Sequence, residues 1–300
     1  MLKIAYHPIY AHPLPEGHRF PMAKYELLPQ QLLYEGTCTP DNFFEPQIPN
    51  DKYLVAVHEP EYYYDLLNLK IAPRVARKIG FPLSELLVER ERIIAHGTMQ
   101  ACKFALQYGI AMNIAGGTHH AYTDRGEAFC MLNDQAIGAR YLQAKKWATR
   151  ILIVDLDVHQ GNGTAQIFQN DLSVYTFSMH GAGNYPFKKE KSDLDIALEK
   201  GVEDGEYLAL LQEVLPRLME EVQPDFVFYL SGVDVLASDK LGTLGLSLEG
   251  CRKRDKFVLE MCRHRKIPIQ CSMGGGYSPD IKTIVEAHAN TFRLAQALYF

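Results

Sequence analysis

Asp155, Asp157 and His159 fall at alternate positions where a continuously apolar run, Ile151-Leu152-Ile153-Val154, gives out. In an extended chain this spacing turns all three side chains to one side. Two carboxylates beside an imidazole repel each other unless a cation lies between them, and Asp with His is a zinc-compatible ligand set. A second apolar run, ending at Leu230, leads into Ser231-Gly232-Val233-Asp234. Asp234 can complete a three-ligand site with Asp157 and His159. Three protein ligands leave a coordination position for water, the mark of a catalytic rather than a structural metal. A third run ends in Gly116-Gly117-Thr118-His119-His120. Neighbours on an extended chain point to opposite sides, so these histidines read as proton-transfer groups at different depths rather than as twin ligands. A fourth run ends in Met273-Gly274-Gly275-Gly276-Tyr277, where glycines allow close backbone packing and present Tyr277 at a rim. Neither phosphate-binding glycine loop is present, and neither Ser178 nor Ser231 sits in a G-x-S-x-G elbow.

The elements that must carry these groups alternate. Short β-branched or aromatic runs at 3–6, 111–114, 150–155, 173–177, 226–230 and 267–272 read as strands buried on both faces. Helical periodicity occupies 92–108, 133–147, 207–222, 248–265 and 280–297. Alternation of this kind predicts β-α-β units, a mainly parallel sheet and an α/β fold, with ligands bound beyond the carboxyl ends of the strands. The first 90 residues are proline-rich and are expected to supply loops and short helices around one rim. With no repeat and no composition break, a single domain over 1–300 is expected.

Composition narrows the function. The 300 residues are 47% apolar and 22% charged, and 31 Lys plus Arg against 36 Asp plus Glu give a net charge of −5. There is no basic block to bind nucleic acid, no run long enough to span a membrane, and no export signal, so a cytoplasmic location is expected. The basic stretch Arg252 to Arg254 reads as a solvated helix face. The six cysteines form no C-x-x-C pair and read as reduced, buried thiols.

Taken together, the strand-end segments resemble the zinc-dependent histone deacetylase family, which shares its fold with arginases. The matching segments are Gly116–His120, Gly126-Glu127-Ala128-Phe129-Cys130-Met131-Leu132-Asn133-Asp134, Asp155–Gly163, Ser231–Asp234 and Gly274–Tyr277. Their order covers about residues 115–280, and Tyr6-His7-Pro8 extends the likeness. Asp124-Arg125-Gly126, His159-Gln160-Gly161-Asn162-Gly163 and 241–247 look most like the class IV branch.

The resemblance implies that Asp157, His159 and Asp234 hold one zinc ion. His119 and His120 would be tandem catalytic histidines, and Tyr277 would polarise the acyl carbonyl. Asp155 would orient His119 and help bind a structural potassium ion with the backbone of Asp157, His159 and Met179 and the Ser178 hydroxyl. A second cation site would involve Phe168, Asp171 and Val174. Phe129, Tyr185 and Gly117 would line an acyl-lysine tunnel, with Leu241 at its mouth. Asn162 stands where many relatives carry Asp beside the second histidine. An amide stabilises imidazolium less than a carboxylate does, so the pKa of His120 should be raised less.

The implied activity is removal of acetyl or longer acyl groups from the lysine side-chain amine of a peptide, protein or other acylated small amine. The alternative is an acetylpolyamine deacetylase, which would need a narrower, acidic entrance, although the mild acidity of the chain is itself weakly compatible with any cationic substrate. A two-manganese ureohydrolase would need more carboxylates, and a non-enzymatic module would show a broken site. Oligomeric state, acyl length and the choice of zinc or ferrous iron are left open by the residues.

Overall fold

A computed structural model describes all residues, 1–300. Its strands are β1 (Lys3–Ala5), β2 (Phe43–Phe44), β3 (Ile110–Asn113), β4 (Ile151–Asp155), β5 (Val174–Gly181), β6 (Leu194–Leu198), β7 (Phe226–Leu230) and β8 (Ile269–Ser272). They form one sheet of eight, in the order β2-β1-β3-β8-β7-β4-β5-β6, and every pairing is parallel. The four central strands β3, β8, β7 and β4 are fully buried, as continuous apolar runs require when helices cover both faces. These same four strands end in the four polar segments singled out above.

The helices are α1 (Lys24–Tyr34), α2 (Pro60–Leu67), α3 (Pro73–Ile79), α4 (Glu85–Tyr108), α5 (Asp134–Ala144), α6 (Asn162–Phe168), α7 (Asp204–Val222), α8 (Leu248–Arg265) and α9 (Ile281–Tyr299). They enclose a single apolar core of 79 residues. Each large side chain in such a core contributes about 1.5–3 kcal/mol through burial.

The predicted elements are present with shifted ends. β7 and α8 match their expected bounds, whereas β5 runs on to Gly181. α4 begins at Glu85, seven residues before the expected start, because the Ser84 side chain accepts from the Leu87 amide and caps it there. The charged Glu89–Arg92 stretch masks those first turns in a hydrophobicity pattern. Edge strands β2 and β6 went unpredicted, since partly exposed edges lack a continuous apolar signature. The proline-rich segment does supply short helices and loops, and α1 to α3 are its regular parts. All six cysteines are free and buried, and no helix is long and apolar enough to cross a membrane.

Candidate active site

At the carboxyl end of β4 the chain leaves the extended conformation, and this reorients the first three candidate ligands. Asp157 and His159 come together with Asp234, all three are buried, and their donor atoms lie within 4.8 Å of one another. Asp155 does not join them, contrary to the one-sided arrangement expected from alternate spacing. Its Oδ1 accepts from the Asp157 amide at 3.1 Å, and its Oδ2 lies 2.6 Å from Nδ1 of His119. The alternation that holds in a strand fails here because the strand ends at Asp155.

Nδ1 of His159 is 3.0 Å from Oδ1 of Asp157 and 3.1 Å from Oδ2 of Asp234. Ligands about 2.1 Å from a tetrahedral ion stand roughly 3.4 Å apart, so these spacings fit donors gathered around one small cation. Backbone amides hold the carboxylates in place. Gly275 N–H donates to Asp157 Oδ2 at 2.8 Å, and Val158 N–H to Asp234 Oδ1 at 3.0 Å. A Cβ at Gly275 would collide with the Asp234 carboxylate and press on that of Asp157, so glycine is required for this cradle. Burial and the neighbouring Asp157 push the Asp234 carboxyl up to about 7, as expected of two acids packed together without a cation. The donor set fits a single zinc or ferrous ion, with imidazole and carboxylate ligands and one side open to the cavity.

His119 and His120 lie in a turn, not a strand, so they do not point apart as expected. Their ring centroids are 4.1 Å apart and both line the cavity. Nδ1 of His120 meets Oδ1 of Asn162 at 2.5 Å, while the Asn162 amide donates to the Tyr122 hydroxyl at 2.9 Å. That second bond fixes the amide so that its oxygen faces His120, which places the His120 proton on Nδ1. Burial lowers the pKa of both histidines, but the Asp155 carboxylate overrides it for His119, whose pKa is raised. His120 stays well below the usual imidazole value, through burial and the nearby His119 and His159. The hydrogen bond to Asn162 works in the opposite direction but does not overcome them.

Tyr277 closes the other side. Its amide donates to Asp239 at 2.6 Å, and its ring centroid lies 6.4 Å from that of His159. Gly117 has φ +74°, and a Cβ there would sit 2.8 Å from Cα of Gly274, so the histidine and tyrosine loops meet only through glycine. Phe129 forms one wall, its ring 5.1 Å from Phe20 and 5.0 Å from Phe81. Its backbone has φ +67° and follows Ala128 at φ +44°, conformations that cost about 1–3 kcal/mol each. The Ala128 and Phe129 amides are held by the carbonyls of Lys78 and Ile79 at 2.9 and 2.6 Å. Tyr185 stands edge-on to His120 at 5.0 Å and donates its hydroxyl to Glu127. Leu241 lines the outer cavity with Phe129 and Tyr185.

The expected structural-cation residues fall in two places. Ser178 pairs in register with Asp155 across β4 and β5, and Met179 follows it on β5. Phe168, Asp171 and Val174 share one turn, with the Asp171 carboxylate bonded to Arg140.

Several residues that matter were missed from sequence. Arg254 is fully buried and not on a solvated face. It pairs with Asp255 and donates to the carbonyls of Leu156 at 3.0 Å and Gly232 at 2.7 Å, clamping both ligand loops together. Its neighbours Arg252 and Lys253 are exposed, and that contrast was hidden inside the basic run. Asp134 accepts from Thr98, Thr118 and Ser272, tying α4, the histidine loop and β8 together. Lys24 is buried at the start of α1 and donates to the Gly274 carbonyl at 3.0 Å. Their signal was the placement of a charge in an otherwise apolar pattern.

The histone deacetylase domain family matches residues 18–292. An uncharacterized protein of Picosynechococcus is 44% identical over 99% of both chains. Histone deacetylase 2 of Arabidopsis thaliana is 29% identical over 87% of this chain and 70% of its own. The acetoin utilization protein AcuC of Staphylococcus aureus is 28% identical over 88% of this chain and 73% of its own. Among solved structures, a histone deacetylase homologue from Aquifex aeolicus superposes with a TM-score of 0.83 at 25% identity, covering 97% of this chain and 82% of that one.

Proposed function

Because the chain belongs to the histone deacetylase family, we propose that it is a metal-dependent amide hydrolase that removes acetyl groups from the side-chain amine of lysine. The observation that carries this reading is the convergence of Asp157, His159, His119, His120 and Tyr277 on one inner cavity, with Asp234 completing the ligand set. Asp124-Arg125-Gly126 and Asn162 support placing it in the class IV branch.

When bound, the divalent cation lowers the pKa of a water and draws electron density from the acyl carbonyl. His120, its Nδ1 proton held by Asn162, offers Nε2 to the cavity as the base that takes the water's proton. It then returns that proton to the departing amine. His119, paired with Asp155, supplies positive charge beside the reacting centre. The Tyr277 hydroxyl donates to the carbonyl oxygen as negative charge develops there. The products are a free amine and a carboxylate. Potassium at Asp155 and Ser178 would hold the β4 and β5 ends in register.

The inner cavity is small, about 40 Å³, and is lined by Phe20, Tyr25, Phe81, Arg90 and Ile94 as well as the catalytic groups. One water needs roughly 10–15 Å³ by this measure, so the space suits an acetyl group and not a long chain. An arginase-like reaction is disfavoured, because Asp155 is committed to His119 and one ligand cluster is present.

The test is hydrolysis of lysine peptides carrying acetyl, octanoyl or myristoyl groups by zinc-loaded protein. Acetyl should be turned over fastest, by at least tenfold. Faster release of myristoyl would overturn the short-chain assignment. Turnover of acetylspermidine alone would move the function to small amines.

A further inference from the structure

The entrance to the site carries a charge pattern that the hydrolysis itself does not use. The outer cavity has a volume of about 560 Å³ and is lined by thirteen residues, none of them a carboxylate. Arg19 is exposed and makes no ion pair, and its guanidinium carbon lies 4.9 Å from the centroid of the Phe129 ring. Lys78 also lines the mouth, 49% of its side chain exposed, with Nζ 2.9 Å from Glu127. Glu127 is buried and also engages Arg125 and the Tyr185 hydroxyl. Lys188 and Lys240 adjoin the lining residues Phe187 and Leu241, and both are exposed and unpaired. Glu127 thus offsets Lys78, and Arg19 is the lining cation without an acidic partner. Asp239 turns its carboxylate inward to the amides of Leu241, Gly242 and Tyr277, and Glu16, exposed in the Arg19 segment, is not among the lining residues. In a chain of net charge −5, the lining of this entrance thus holds two cations and no acid.

We propose that the mouth is a carboxylate-recognising subsite in which Arg19, steadied on the Phe129 ring, engages an anionic group of the substrate outside the tunnel. The enzyme then takes acylated amines with a carboxylate near the outer end of a lysine-length chain and rejects acylated polyamines. The inference rests on the deacetylase reading of the site. A guanidinium offers a planar fork to a carboxylate, and stacking on an aromatic ring limits its freedom before binding. A polyamine would bring like charges to Arg19 and Lys78. The carboxylate has two sources, an acidic side chain next to acyl-lysine in a protein or the α-carboxylate of free acyl-lysine.

Binding and turnover test it separately. Two straight-chain hydroxamates of equal length, one ending in a carboxylate and one in trimethylammonium, are titrated calorimetrically into zinc-loaded protein. The carboxylate should bind roughly two- to fivefold tighter, as an exposed ion pair provides. The preference should fade in about 0.5 M salt, which shortens the screening length. It should vanish in Arg19→Gln and invert in Arg19→Glu. In parallel, kcat/KM is measured for acetyl-lysine flanked by Glu or by Lys, for free Nε-acetyl-lysine, and for acetylspermidine. Preference for the acidic peptide assigns the carboxylate to a protein segment, and preference for the free amino acid assigns it to a small substrate. Equal binding of the two hydroxamates, or a preference unchanged in Arg19→Glu, overturns the proposal whatever is hydrolysed. Carboxylate preference in binding with no turnover of any acetyl amide supports the subsite and overturns the deacetylase reading instead.

Discussion

Tyr277 and Asn162 carry the sharpest predictions at the level of single residues. Tyr277→Phe removes one hydroxyl beside the ligand cluster and no core contact. It should lower kcat roughly 10²–10³-fold with zinc stoichiometry unchanged, as loss of one oxyanion donor does; metal analysis beside steady-state kinetics checks this. Asn162→Asp places a carboxylate against Nδ1 of His120, 2.5 Å from the present amide oxygen. A carboxylate favours imidazolium, so the folded-state pKa of His120 rises from its depressed value. The base is then protonated at higher pH, and the acid limb of the pH–kcat/KM profile should move up by about one unit or more. A profile that does not move would remove His120 from the role of base. His120 and Tyr277 were legible in the sequence because each follows the end of an apolar strand, whereas Asn162 stood out only through the family resemblance. Side-chain directions were not legible. Asp155 turned to His119 and the two histidines converged, because pleat alternation applies only while the chain remains a strand.

Among the elements, the joint between α8 and the ends of β4 and β7 governs how well the ligands are held. Arg254 links the carbonyls of Leu156 and Gly232, and Asp255 is held in turn by Tyr229 and Thr291 at 2.6 Å each. Arg254→Met leaves Asp255 as a buried charge without its cation, and should cost about 3–5 kcal/mol in chemical denaturation. Arg254→Lys keeps the charge, but one ammonium cannot hold Asp255, which the guanidinium meets through two other nitrogens, together with both carbonyls. It should fold and bind zinc more weakly in a chelator competition. Unchanged zinc affinity in a folded Arg254→Lys would limit the clamp to stability. The helix itself was plain from periodicity, and its bounds matched. Its buried arginine was not, because a run of three basic residues gives no sign of which one faces inward. Edge strands β2 and β6 were missed for the opposite reason, since half-covered strands carry too little apolar pattern.

Across the whole molecule, function follows from sheet order. Strands distant in sequence become the neighbours β3, β8, β7 and β4, and their carboxyl ends deliver two histidines, a tyrosine and the candidate metal ligands to one place. Alternation of strands and helices announced a parallel sheet, but the order was not readable from composition or periodicity. The size of the inner cavity was also hidden, because it depends on α1 and the proline-rich loops that bring Phe20, Tyr25 and Phe81 to the wall they share with Tyr277. The most direct measurement is acetate release from an acetyl-lysine peptide by protein stripped with a chelator and then titrated with zinc or ferrous iron. Activity should be absent in the stripped protein, rise linearly and saturate at one equivalent per chain, with deacetylated peptide and acetate formed in equal amounts. Turnover that survives stripping, saturation at two equivalents, or no acetate from protein holding one metal ion would contradict the account.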